Sequence, residues 1–354
     1  MKAPRRTFAA AAVPALLLAS LVSGSAGAAD TVVVASGLNN PRGIDVGGGR
    51  VVVAETGAGR LAIVKPGGVR TLVGDLPVVD LGGGELSGVT NVALVGRGGQ
   101  HALIGGGPGE EFGSLLRLGN LPGPDVSIAA YQVTDPDPLD IDEPPFPEES
   151  NPYGVASLGN GKVLVADAAG NDLLQVNQKG RVKTIATFPL EVTSTSHLPI
   201  PGLPPALPAE AVPTSVAVGP DGYYYVGELK GFPFTPGASN IWRIAPWANG
   251  AVCDDDASDG CERWATGFTS ITGLDVGDDG TVYVVEIAKG GVFNLFSGGD
   301  ITGGLFAVRA GEAPVEIASG QLTAPADVAV AGDGTLYVTN KSVMPDGEVL
   351  AIRT

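Results

Sequence analysis

The stretch Val212-Pro213-Thr214-Ser215-Val216-Ala217-Val218-Gly219-Pro220-Asp221-Gly222-Tyr223-Tyr224-Tyr225-Val226-Gly227-Glu228 decides the fold. A Pro-containing entry leads into a short apolar run, a Pro-Asp-Gly turn reverses the chain, and a run of Tyr and Val follows that stops at a carboxylate. Val and Tyr suit a half-buried pleated strand, and Gly and Asp supply the positive φ of a tight reversal. The unit is therefore a β-hairpin with a polar terminus.

Outward from this hairpin the same grammar returns five times. The other entries are Asn40-Pro41-Arg42-Gly43-Ile44, Val89-Thr90-Asn91-Val92, Asn151-Pro152-Tyr153-Gly154-Val155, Ile271-Thr272-Gly273-Leu274 and Ala324-Pro325-Ala326-Asp327-Val328. The equivalent positions Ile44, Val92, Val155, Val216, Leu274 and Val328 are 48, 63, 61, 58 and 54 residues apart. Such periods fit four-stranded propeller blades of about 40 to 50 residues plus insertions. Third strands are expected at Leu61 to Val64, Leu115 to Leu118, Leu173 to Val176, Ile241 to Ile244, Leu305 to Val308 and Val349 to Ile352. The sixth unit then lacks its fourth strand, and Thr31 to Val34, ahead of the first unit, supplies it. The fold class is all-β: a six-bladed β-propeller whose last blade is closed by the N-terminal strand of the mature chain, residues 29–354 forming one domain. An open solenoid would need capping units rather than complementary fragments at its two ends.

Composition agrees. With 54 Gly and 28 Pro in 354 residues, the longest interval beyond residue 28 free of both is Asp125 to Asp135, barely one average helix. At 44% apolar and 17% charged residues, the chain carries enough material for a core.

Residues 1–28 read as an export signal: Lys2, Arg5 and Arg6, an apolar stretch from Phe8 to Val22 broken by Pro14, and Ala26-Gly27-Ala28, after which cleavage is expected. Arg5-Arg6-Thr7-Phe8 also matches a twin-arginine signal, which leaves the export route open. The mature protein is then expected to be secreted or extracytoplasmic, with no membrane segment, and a monomer. Without the signal, 18 basic residues face 38 acidic ones. With no cluster of Lys and Arg, nucleic acid and anionic lipid are excluded as partners.

Cys253 and Cys261 flank a seven-residue interval and should pair in an oxidising compartment, contributing about 2 to 3 kcal/mol. Two Cys and two distant His do not supply a zinc site. The Asp254 to Asp259 run departs from the EF-hand register and reads as a solvated disulfide loop.

In a propeller the loops between blades and those after the second strand share one face. Here that face takes the long insertions Gln132 to Ser150, Leu190 to Ala211, Leu229 to Ser239 and Ile287 to Gly303. Long loops on a rigid scaffold are where binding surfaces are built. The residues ending the second strands, Glu55, Asp167, Glu228, Glu286 and Asn340, belong to the same face. Four carboxylates around one mouth repel one another unless a cation, shared protons or Arg42 neutralises them. A Ca²⁺ ion held by these five residues is one expectation. The other is that each caps amides of its own blade. Arg42, Asn91, Tyr153, Thr214 and Thr272 at the first-strand entrances are expected to line the channel mouth. Nucleophilic catalysis finds little support, because the mature chain has no Gly-x-Ser-x-Gly elbow and only His101 and His197 as imidazoles.

The runs NPYGVA (151–156), VADAAGNDLLQV (165–176), PTSVAVGPDGYYYVGELKGFPFTPGASNIWRI (213–244) and GFTSITGLDVG (267–277) resemble the ScyD/ScyE family of exported propellers. The resemblance spans almost the whole mature chain. It implies a secreted six-bladed propeller related to NHL and SMP-30-like folds, with no settled reaction. Two functional expectations stand side by side. One is a binding module that takes a small molecule, glycan or protein on the loop-rich face; the other is a calcium-dependent hydrolase or lactonase at the channel mouth.

Overall fold

The computed structural model describes residues 29–65, 68–142, 145–254 and 259–353; the export signal expected over residues 1–28 lies outside them. Six four-stranded antiparallel units follow one another along the chain and form a six-bladed β-propeller. The innermost strands are Pro41–Gly47, Glu85–Val95, Pro152–Gly159, Pro213–Val218, Ile271–Val276 and Val328–Val330. The second strands, Arg50–Glu55, Gly99–Ile104, Lys162–Asp167, Tyr224–Glu228, Val282–Glu286 and Leu336–Asn340, are almost wholly buried. Both faces of a blade are covered by neighbours, so these strands read as continuous apolar runs rather than as alternating ones. Consecutive residues still serve opposite seams. Val52 and Ala54 pack towards blade two with Val89, Val92 and Ala102, whereas Val53 packs towards blade six with Ala35, Ala329 and Val349.

A separate apolar cluster fills each of the six seams, and the largest joins blades three and four around Leu164, Phe188, Val226 and Trp242. Burial at about 25 cal/mol per Å² of apolar surface makes these seams the main source of stability.

Blade six is completed from the other end of the chain. Asp30–Leu38 pairs antiparallel with Gly347–Arg353, from Asp30 opposite Arg353 to Leu38 opposite Gly347. The strand is longer than the expected Thr31 to Val34, and its far end plants Leu38 and Ala35 in the seam with blade one.

Three departures from the sequence reading have local causes. The Pro-rich segment between blades three and four is not an irregular loop: Glu191–Ser194 and Ala206–Ala209 form a hairpin, with the prolines gathered near its tip and at Pro208. Glu85–Val95 extends ahead of the inner strand proper and pairs with Val78–Gly82 as a second projecting hairpin. On the opposite face, Ala251–Val252 reaches back to run parallel to Val182–Thr187, the outer strand of blade three.

Cys253 and Cys261 are disulfide-bonded with Cα atoms 4.8 Å apart. Both are fully buried in the seam with Trp242, Phe188 and Ala251, so the bridge is a core element rather than part of a solvated loop. Residues 255–258 of the acidic run lie outside the described residues.

Candidate functional site

Glu55, Asp167, Glu286 and Asn340 end their second strands in the same way. The Glu55 Oε1 accepts from the amide of Asn39 (2.9 Å), the Asp167 Oδ1 from Asn151 (2.7 Å), the Glu286 Oε1 from Thr269 (2.7 Å) and the Asn340 Oδ1 from Thr323 (2.8 Å). Each amide lies one to five residues ahead of the same blade's first strand. The side chains therefore pin the entry of their own blade. Glu55 also accepts from Arg60 Nε at 2.7 Å, and Asp167 from Ser150 Oγ at 2.6 Å. Burial raises the carboxyls of Asp167 and Glu286, the latter to about 7, although their amide partners act in the opposite direction.

Glu228 differs. It accepts from the Asn240 amide (3.0 Å) and the Trp242 indole (3.1 Å), and it pairs with Lys230 Nζ at 2.8 Å. Lys230 is fully buried and also meets Glu191 of the projecting hairpin, which in turn pairs with Arg263 at 2.5 Å. This network fastens the hairpin to blade four.

The structure thus does not bring the five side chains together at the mouth; each is engaged where its own blade needs it. Among the described residues no group of three or more His, Cys, Asp or Glu is placed to hold a metal ion.

The five entrance residues divide similarly. Arg42 reaches over blade two, donating to the Leu86 carbonyl at 2.7 Å and lying 5.9 Å from the centroid of the Tyr153 ring in blade three. Thr214 donates to the Ile271 carbonyl at 2.7 Å, tying blade four to blade five. Asn91 turns its carboxamide onto Asp327, with Nδ2 3.3 Å from Oδ2. Thr272 is buried, and its hydroxyl has no partner on the chain. His197 stands on the projecting hairpin with its ring on the Pro233 carbonyl at 2.9 Å.

A polar centre the sequence reading passed over lies inside the shaft. A cavity of about 240 Å³ is lined by the inner strands of all six blades, from the level of Asn91, Ser215 and Asp327 to that of Leu94, Ser157 and Val218. It begins beyond Arg42 and Tyr153 and runs towards the face of the short turns. Asp45, Asp275 and Asp327 line it, on three consecutive blades. Each carboxylate straps its own inner strand to the next: Asp275 accepts from the Val330 amide (2.8 Å), Asp327 from Ile44 (3.1 Å) and Asp45 from Leu94 (2.6 Å). Inner strands of adjacent blades diverge from the axis and cannot share a ladder, so these side chains satisfy amides that would otherwise be buried unpaired.

Space for them comes from glycine. A Cβ on Gly43 would fall 2.4 Å from Asn91 Oδ1, and one on Gly273 would fall 2.4 Å from Asp327 Oδ1. Burial, the first cause in each case, pushes all three carboxyls up, Asp275 to about 7, with the neighbouring aspartates adding to Asp275 and Asp327. The signal was present in the sequence as an acid placed inside an apolar inner strand: Ile44-Asp45-Val46, Leu274-Asp275-Val276 and Ala326-Asp327-Val328.

No protein-family model and no curated protein matches the chain. Solved structures do. The PQQ-bound aldose sugar dehydrogenase of Streptomyces coelicolor aligns with a TM-score of 0.56 at 14% identity, over 92% of this chain and 98% of its own. A glucose dehydrogenase aligns at 0.58 and 12% identity over 92% and 99%. A streptogramin B lyase aligns at 0.52 and 13% over 92% and 97%. Enzymes of unlike chemistry share this scaffold, and identity this low carries the architecture alone: the chain has the fold of the six-bladed β-propeller proteins.

Proposed function

We propose that the protein is an exported binding protein of the ScyD/ScyE type that engages a basic protein partner through its loop-rich face. The observation that carries this reading is the distribution of exposed apolar side chains. Phe146, Val192 and Phe296 are 59%, 76% and 67% exposed, and they stand on three different insertions of that face, joined there by Val133, Ile200 and Phe232. Large exposed apolar residues gathered on one face mark an interaction surface. Charge selects the partner's sign. The Gln132 to Ser150 insertion brings Asp137, Asp140, Asp142 and Glu149 near Glu210; burial first, then the charges of Asp140 and Asp142, push the carboxyls of Asp137, Glu149 and Glu210 up, Glu210 to about 7. A partner bringing Lys or Arg relieves that repulsion and gains on-rate from it.

The test is site-specific photocrosslinking in producing cells, with the photoreactive residue at position 146 or 192 on the loop-rich face, or at exposed Trp247 on the other. Defined adducts from 146 and 192, absent from 247 and lost with Phe296→Asp, are the expected result. Adducts of equal yield from both faces would reject the reading. Binding on a glycan array, or to small molecules, that survives Phe296→Asp would also reject it and assign the module a different class of ligand.

A further inference from the structure

We infer that the basic partner of the loop-rich face is a second copy of this chain, which docks there through the turns of its opposite face, so that copies join head to tail. The inference rests on the reading of the loop-rich face given above and supplies the partner's identity.

The opposite face, made of the turns that join first to second and third to fourth strands, is divided by charge. Over blades one to three these turns carry Lys65, Arg97, Lys162, Lys179 and Arg181, all exposed. Among the described residues none of the five side chains has a hydrogen bond or an ion pair. The one acid on those turns, Asp125, accepts from the Arg117 amide at 2.6 Å. Over blades four to six the sign reverses. Asp221, Asp278, Asp279, Glu312 and Asp333 are exposed there, and the bases beside them, Arg243, Arg309 and Arg353, act on Asp221, Asp279 and Asp333. In sequence the five free bases are spread from Lys65 to Arg181, and the ring gathers them on one side of its axis. Their turns are largely glycine, Gly96, Gly98 and Gly99 around Arg97 and Gly159 and Gly161 ahead of Lys162, so little but the long basic side chains rises from that surface.

The loop-rich face is the complement. Its bases Arg60, Lys230, Arg263, Lys289 and Lys341 are each held by a carboxylate of the same chain, whereas Asp142, Glu148 and Glu149 are exposed on either side of Phe146 in sequence. The insertion that carries these acids joins blades two and three, on the same side of the axis as the free bases. A translation along the axis with little rotation therefore brings the bases of one copy onto the acids of the next, which fixes register as well as attraction. Because the two surfaces differ, the contact does not close on itself and copies add in a row, with the expected monomer as the repeating unit. The net charge of −17 sets copies apart at long range, but salt screens exposed charges beyond about 8 to 10 Å, and at contact the local signs decide. Trp247, on the blade-four loop, stands beyond the basic turns and outside this contact.

The experiment is sedimentation velocity of the mature protein over a concentration series, at low salt and in about 1 M sodium chloride, where the screening length is about 3 Å. An open series of dimer, trimer and longer species at low salt that collapses to monomer at high salt is the expected result. Lys179→Glu with Arg181→Glu, and separately Asp142→Lys with Glu149→Lys, all at exposed positions, should each weaken self-association at least about tenfold. Mixed together, the two variants should form a one-to-one dimer that does not grow, because each keeps the surface the other has lost. A wild-type protein that stays monomeric over the whole series at low salt overturns the inference; defined adducts from positions 146 and 192 with a different protein then leave the reading of the loop-rich face standing and remove only the second copy as its partner. A closed dimer that does not grow, or association unchanged by either double substitution, overturns the head-to-tail contact.

Discussion

The acids that end the second strands and the acids of the shaft are alike in residue type but opposite in what they join. Glu55, Asp167 and Glu286 hold the entry of their own blade, each through an amide only 16 or 17 residues away in sequence. Asp45, Asp275 and Asp327 reach the next blade, 49, 55 and 283 residues away. The first set makes each blade a self-sufficient unit. The second set couples units at their narrow ends, where no ladder can form. One side chain thus serves either local closure or assembly, depending on whether it stands at the end or in the middle of its strand.

The largest expected effect breaks assembly without touching either set of acids. Deleting Asp30–Leu38 strips blade six of its outer strand and removes Leu38 and Ala35 from the seam with blade one. Cooperative unfolding by urea should be lost at 25 °C, and a synthetic peptide of that segment should partly restore it; an unchanged melt would remove the closure strand from the account.

Next in size is the charged network of blade four. Glu228→Gln leaves buried Lys230 with Glu191 as its remaining carboxylate and should cost about 3 kcal/mol in urea unfolding. The equivalent Glu286→Gln removes a carboxylate that has an amide partner and no ion pair, and should cost about 1 kcal/mol at most. Equal costs would erase the distinction between the two ends.

The disulfide follows. Cys253→Ala with Cys261→Ala should lower stability by about 2 to 3 kcal/mol while the protein still folds, since the bridge closes a short loop inside a seam already filled by Trp242 and Phe188.

The smallest effect is a slope with pH that sharpens the comparison of the two acid sets. Asp275 and Glu286 have folded values of about 7, above their ordinary carboxylate values near 4. The folded state therefore holds protons that the unfolded state has released. Their contribution is complete below about pH 4, declines as pH rises, and is gone above about pH 7. Tm should fall from pH 5 to pH 8, and Asp275→Asn and Glu286→Gln should each flatten part of that decline. A Tm rising over this interval would contradict the burial argument for both.

Much of the architecture was legible because a repeat declares itself through spacing. Six entries, their turns and the missing sixth outer strand all lie in local sequence. The polar end of each second strand was legible as a recurrent position but not as a role, since whether Glu55 meets a cation or the Asn39 amide depends on how the entry segment folds back over it. The shaft aspartates escaped for a related reason. An acid between two apolar residues looks like the exposed face of a strand, and only closure of the ring turns that face inward. The projecting hairpin of Glu191–Ser194 and Ala206–Ala209 was masked by prolines, which in a two-stranded ribbon can sit where no ladder amide is required.

The closing strand has a consequence in time as well as in space. Thr31 is made long before Ile352, its partner in the sheet. A growing chain can assemble interior blades in order, but the ring has no final form until Gly347–Arg353 has been made, and contacts this distant in sequence form slowly. Until then Val32, Val33 and the rest of the strand have no ladder to join. A nascent propeller of this kind is an arc with two unmatched ends, and whatever meets it during that interval meets a different molecule from the closed one.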